Sequence, residues 1–149
     1  MDFSSYVTII NKTHYNLTQV EQHADHGYFV TNAPNNISSA YPLDPMNPDK
    51  NKGYLQIMDH DNDAVGSGGH VTYSVDGLNV SIELIFGCPY SDNNYASINY
   101  CPQNADNLIF VRYKGTNGGD PNAQADWGDY PSEGHPLSIE FELLEVPQQ

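Results

Sequence analysis

Val71, Tyr73 and Val75 alternate with Thr72, Ser74 and Asp76, and a few residues later Val80, Ile82, Leu84 and Phe86 alternate with Ser81, Glu83 and Ile85. A period of two sends successive side chains to opposite faces, so this stretch predicts two half-buried strands. The turn between them is Asp76-Gly77, a pair that tolerates positive φ, followed by Leu78 and Asn79. That spacing suits a hairpin slightly longer than a two-residue one. The second strand runs into Cys88-Pro89-Tyr90-Ser91-Asp92-Asn93-Asn94-Tyr95. Pro89 lacks a ladder donor and the polar run favours turns, so a tyrosine-lined loop is expected at one end of the sheet.

The same pattern recurs along the chain. Ser5–Asn11 (SYVTIIN) is a β-branched run that reads as a first strand. A second follows at Tyr15–Val20, where Tyr15, Leu17 and either Gln19 or Val20 compete for the inner face, and a short third at Gly27–Val30 could complete a meander. Residues 31–52 hold Pro34, Pro42, Pro45 and Pro48 among Asn, Asp and Ser, the composition of a long loop over a sheet edge or sandwich end, with Ile37 and Tyr41 to pin it. Strands resume at Tyr54–Met58, Asn107–Tyr113 and Pro136–Val146, and a Gly- and Asp-rich excursion at 115–134 carries the single tryptophan, Trp127, near Tyr130. About eight to ten short strands and no amphipathic helix predict an all-β, antiparallel β-sandwich. At 149 residues the chain has the size of one domain, 1–149. Val71, Tyr73, Val80, Ile82, Leu84, Leu108, Phe110, Ile139 and Phe141 are the expected inward or strand-central residues, and Tyr113 should join Tyr73 in the core.

Charge narrows the partners. Five Lys and Arg stand against nineteen Asp and Glu, a formal charge of −14. Such a field repels phosphate backbones and anionic lipid surfaces, so nucleic acid is not an expected partner, and a membrane target would carry zwitterionic or glycosylated head groups. The acid excess also suffices to keep a β-protein in solution. No run of about 18 apolar residues exists for a transmembrane helix, and Met1-Asp2-Phe3-Ser4 opens without the basic and apolar regions of a signal peptide. The expectation is a soluble chain, either retained, exported by a non-classical route, or a mature form with an added methionine.

The inventory of reactive residues gives little support to catalysis, and no enzyme is expected. His14, His23, His26, His60, His70 and His135 show no metal-protease spacing, Ser67 and Ser91 lack a nucleophile elbow, and nothing beside Cys88 activates a thiolate. Asp59, Asp61 and Asp63 alternate like the opening of a calcium loop, yet the sixth and twelfth positions are Ala64 and His70 where an EF-hand has Gly and Glu. They form either a weak calcium site or a solvated acidic turn, and no other cofactor is implied. Cys88 and Cys101 bracket the tyrosine loop and are either bridged across its base or two separate thiols.

The order Gly68-Gly69-x-Val71-x-Tyr73-x-Val75, an apolar strand, and then Phe86-Gly87-Cys88-Pro89-Tyr90-Ser91-Asp92-Asn93-Asn94-Tyr95 resembles the central segment of the actinoporin-like and aegerolysin-like cytolysins. The opening strand SYVTIIN is more similar to the aegerolysins and their bacterial insecticidal crystal-protein relatives. These matches span residues 66–101 and, more loosely, 5–11. The resemblance implies a β-sandwich that recognises membrane lipid head groups or glycans, often within a pore-forming toxin. It maps a proline and a tyrosine of the actinoporin phosphocholine pocket onto Pro89 and Tyr95. The pocket serine is Gly87 here, and the following aromatic cluster is reduced to Tyr100, with Ser97 and Ile98 in place of tryptophans. With a strand starting near Ser5 there is no room for the actinoporin insertion helix. Aegerolysins, which also lack it, are implied to need a partner protein for pores.

Read physically, aromatic faces attract quaternary ammonium groups, so Tyr90, Tyr95, Tyr100, Trp127 and Tyr130 could form a choline cage or a sugar platform around Pro89; otherwise they pack between strands. Two functions follow: a choline- or sphingolipid-type head-group binder of cytolysin type, or a glycan-binding or structural protein without membrane activity.

Overall fold

The computed structural model describes residues 2–60, 64–118 and 123–148. Among these, ten strands form two five-stranded sheets packed face to face: β1 (Ser5–Asn11), β2 (Leu17–His26), β3 (Tyr28–Thr31), β4 (Asn36–Ile37), β5 (Lys52–Met58), β6 (Gly66–Val75), β7 (Val80–Pro89), β8 (Tyr95–Cys101), β9 (Ile109–Asn117) and β10 (Leu137–Glu145). The first sheet runs β3-β5-β1-β10-β9 and the second β4-β2-β6-β7-β8. A short 3-10 helix, Gln103–Asn107, links β8 to β9.

The β6–β7 hairpin is the long ladder of the second sheet, pairing Val75 with Val80 at the turn and Gly66 with Pro89 at the far end. Gly77 takes the positive φ, 89°, that the turn demands. Its alternating residues Val71, Tyr73, Ile82, Leu84 and Phe86 face Val7, Ile9, Leu55, Ile139 and Phe141 of the first sheet in one apolar cluster. Each such side chain stabilises the fold by about 1.5–3 kcal/mol relative to exposure. The sandwich expected from the sequence is therefore present.

Several expectations are corrected. The first three strands are not a meander, because β1 and β3 lie in the first sheet and β2 in the second. The pairing is not wholly antiparallel either: β1 and β10 run parallel side by side, Ser5 opposite Leu137. In β2 the ladder shifts register between Gln19 and Glu21, leaving Val20 61% exposed while Leu17 goes to the core. Leu108 and Phe110 are exposed, at 40% and 48%, and Ile109 and Val111 point inward. The run Leu108-Ile109-Phe110-Val111 is apolar at every position, so its periodicity carries no phase, and a one-residue slip exchanges the faces. Tyr113 packs against the core beside Phe141, ring centroids 6.3 Å apart. Ile37 pins the 31–52 loop from within the core, whereas Tyr41 is exposed and stacks on His14.

The two cysteines are free. Cys101 pairs with Ser81, seven residues along β7 from Cys88. That separates them by about 23 Å of strand, far beyond the ~7 Å a disulfide spans. The bridge fails because β8 returns antiparallel and carries Cys101 to the opposite end of the sandwich.

Candidate ligand-binding site

Pro89 ends β7, and residues 90–94 cross to β8 at the end of the sandwich that also gathers the chain start, Asp59–His60 after β5, Ala64–Val65 before β6 and the residues leading into β10. The parallel β1–β10 pair fixes the neighbours of this loop. Since Ser5 lies opposite Leu137, the residues two positions earlier, Phe3 and His135, come side by side, and their rings approach to 4.0 Å. The Leu137 amide donates to the Ser4 carbonyl at 3.0 Å and locks the register. Tyr90 closes on the other side of Phe3, ring centroids 5.1 Å apart. Phe3 is buried by this stack with Cys88 and Leu137, while Tyr90 stays 48% exposed.

The result is an open groove of about 420 Å³ whose lining includes Phe3, Tyr90, Asp92, Asn93, Glu133 and His135. Its two walls are tied by Asn94. This buried side chain donates from Nδ2 to the carbonyls of Pro131 and Gly134, both at 3.0 Å, and its own amide donates to Ser132 at 2.9 Å. The Tyr90 amide donates to the Val65 carbonyl, 3.1 Å, and fastens the outer side of the loop to the start of β6. Asp92 and Glu133 give the groove a negative rim, and neither Lys nor Arg lines it. The exposed Tyr90 ring beside two carboxylates, with no Lys or Arg in the lining, suits an ammonium-bearing ligand.

Tyr95 lies on the other side of Pro89. Its ring crosses the outer face of the second sheet over Gly68 and Gly87, a pair in register, and occupies the space that a side chain at either glycine would need. A smaller groove of about 320 Å³ runs beside it, lined by His26, Val65, Pro89, Asp92 and Tyr95 among others. Burial, and next the charge of Asp25, pushes the Tyr95 phenol above its ordinary range, so it is a neutral hydrogen-bonding group at physiological pH. The loop is thus a ridge between two shallow grooves that share Pro89, Ser91, Asp92 and Asn93.

The other sequence candidates lie elsewhere. Tyr100 sits near the opposite end of β8, where its hydroxyl accepts the Val111 amide at 2.9 Å and stitches the second sheet to the first. Trp127 lies over Arg112 and Lys114, 3.9 and 4.4 Å from the ring centroid, on the outer face of the first sheet. Tyr130 packs against Tyr113 and takes the space beside Gly115. The segment carrying them binds the β9 edge through Gly128 to Tyr113 and Gly115 to Asp129, which protects that edge from foreign strands. So Tyr90 and Tyr95 flank Pro89 but line separate grooves, and Tyr100, Trp127 and Tyr130 are not part of that ridge. Asp59 accepts the Phe3 amide at 3.3 Å, and Asp61 and Asp63 lie outside the described residues. Among the described residues no three His, Cys, Asp or Glu side chains converge on a metal position.

This sandwich is shared with known proteins. The lipid binding protein Nakanori superposes with a TM-score of 0.60 at 11% identity, over 94% of this chain and 70% of that one. The RahU protein in complex with a Tris molecule gives 0.59 at 9% identity, over 98% and 97% of the chains. IP-1A from Alcaligenes faecalis gives 0.57 at 12%, over 98% and 93%. At such identities the likeness is one of fold. No protein-family model matches the sequence, and no curated protein matches it at the sequence level.

Phe3, Asp92, Glu133 and His135 were not singled out as ligand residues in the sequence. Phe3 and His135 are 132 positions apart and meet only through the parallel pairing of the terminal strands, for which a periodicity of two holds no signal.

Proposed function

We propose that the chain binds the choline-type head group of a zwitterionic lipid on the Tyr90 side of the Pro89 ridge, and that it is a binding protein and not an enzyme. The observation that carries this reading is the juxtaposition of Tyr90, Phe3 and His135 with the carboxylates of Asp92 and Glu133 in one groove free of Lys and Arg. A trimethylammonium group gains a cation–π contact of about 0.5–2 kcal/mol per well-placed ring and an attractive field from the rim. The lipid phosphate is met by the Ser91 and Asn93 side chains, which share the ridge. Sharing an architecture with the lipid binding protein Nakanori is consistent with this role.

Catalysis is disfavoured by the state of the nucleophiles. Ser67 Oγ donates to the Phe3 carbonyl at 2.5 Å and meets Ser5 Oγ at 2.9 Å, inside the core. The Cys88 thiol is pushed up to about 11, chiefly by burial. Among the described residues no helix is long and apolar enough to cross a bilayer, and the ten strands are committed to the sandwich. We therefore assign to this chain the recognition half of a toxin-like system, with a partner protein supplying any pore.

The test is co-sedimentation with phosphatidylcholine, sphingomyelin and phosphatidylglycerol vesicles alongside dye release. Binding to the first two without release is the expected outcome. Tyr90→Ala should weaken it about three- to thirtyfold, the loss of one cation–π contact. Unaltered binding by this variant, with weakened binding by Tyr95→Ala, would transfer the site to the His26–Tyr95 groove, and release of dye by the chain alone would end the partner-dependent reading.

A further inference from the structure

The outer face of the first sheet holds a second concavity, and its chemistry differs from that of the ridge. Three adjacent strands, β1, β10 and β9, are in register there along two rungs. Tyr6 pairs with Ser138 and Ser138 with Thr116; Thr8 pairs with Glu140 and Glu140 with Lys114. The intervening residues Val7, Ile139 and Gly115 are buried, so the six rung residues share the solvent face. Strands lie about 4.8 Å apart and same-face residues about 6.8 Å apart along each, a grid on the scale of a pyranose ring and its hydroxyls. The groove over this grid has a volume of about 500 Å³, with Ala123–Ala125 as one wall.

Three features fix what it would hold. Thr8, Thr116 and Ser138 each offer a hydroxyl that both donates and accepts. Glu140 and Lys114 are paired at 3.7 Å, so the rung presents a carboxylate acceptor and an ammonium donor with no net charge. Lys114 is further held over the Trp127 ring. The Tyr6 hydroxyl donates to Asp2 at 3.0 Å, which orients a partly exposed aromatic ring at the rim. A phosphate would need an uncompensated cation and a quaternary ammonium group a cage of several rings; neither is here. We infer that this groove is a binding site for a neutral hexose-type sugar, seated on Tyr6 and hydrogen-bonded by Thr8, Ser138, Glu140 and Lys114. The inference is independent of the head-group reading, since the two sites share no residue.

The experiment is an amide-resolved NMR titration of the intact chain with the methyl glycosides of glucose, galactose, mannose and N-acetylglucosamine, each to about 50 mM, a range that detects millimolar affinity. The expected result is saturable shifts at residues 6–8, 114–116 and 138–140 with at least one glycoside. Glu140→Gln and the near-isosteric Thr8→Val should each weaken that binding about five- to fiftyfold, while Tyr90→Ala leaves it unchanged. No saturable shift with any of the four glycosides would overturn the proposal. So would shifts confined to residues 89–95 and 133–135. So would binding of inorganic phosphate at the same amides that strengthens in Glu140→Gln, which would make the groove an anion site built on Lys114.

Discussion

Asn94 and Gly134 hold the two walls of the candidate site together, the buried Nδ2 of the first donating to the carbonyl of the second at 3.0 Å. A second bond from the same nitrogen reaches Pro131. Removing the carboxamide leaves the Pro131 carbonyl without its side-chain donor and the Gly134 carbonyl with only the long Cys88 thiol contact of 3.7 Å. Asn94→Ala should therefore lose about 1–3 kcal/mol of stability, read from the urea midpoint at unchanged m-value. Binding to choline-lipid vesicles should fall with it, because Glu133 and His135 lose their fixed distance from Tyr90. Unchanged stability would show that other contacts hold the loops.

Gly87 and Tyr95 should prove energetically coupled. The Gly87 backbone is not in the left-handed region, so alanine is tolerated locally and the nearest obstacle is the Tyr95 ring. Gly87→Ala is expected to destabilise by about 1–3 kcal/mol and Gly87→Ala/Tyr95→Ala to recover part of that loss, a coupling of about 0.5–3 kcal/mol in a double-mutant cycle. Strict additivity would mean that the ring does not lie there.

The thiols should report the fold. Cys101 is exposed and Cys88 buried with its thiol raised to about 11. In the native protein at pH 8 a chromogenic disulfide reagent should titrate one thiol quickly and the second at least about a hundredfold more slowly, since reaction needs both thiolate and access. In denaturant both should react at once. Two fast native thiols, or none, would contradict the arrangement.

Acid should loosen the chain start. Burial tends to raise the Asp2 carboxyl, but hydrogen bonds from Ser4 and Tyr6 and the nearby His135 outweigh it and hold it below its ordinary 3.8. A carboxylate with a depressed folded value contributes stability that is fully present above its unfolded value and is lost as pH falls through the folded one. Asp2→Asn should thus be less stable than wild type near neutrality, and the two urea midpoints should converge as pH falls through the depressed folded value of Asp2. A constant gap down to pH 2 would show that charge at Asp2 plays no part.

The sandwich was legible in the sequence because its strands announce themselves one at a time. Period-two alternation in 71–86 and 137–143, Asp76-Gly77 at the turn and Pro89 at a strand end are local signals, and each is realised in the sheet ladders. The same local logic placed Tyr90 on an end loop beside Pro89, whereas Tyr95, expected on that loop, opens β8 opposite Gly87. It stopped where the pattern is uniform, as at Leu108-Ile109-Phe110-Val111, since four apolar residues in a row fix no phase. What only the tertiary structure decided is which strands become neighbours. The parallel docking of β1 beside β10 sets Phe3 against His135, and the return of β8 carries Cys101 and Tyr100 away from the loop that Cys88 opens. The physical reason is that alternation specifies a face but no partner: pairing is chosen by the joint burial of both sheets and the satisfaction of every ladder hydrogen bond, which are properties of the whole chain.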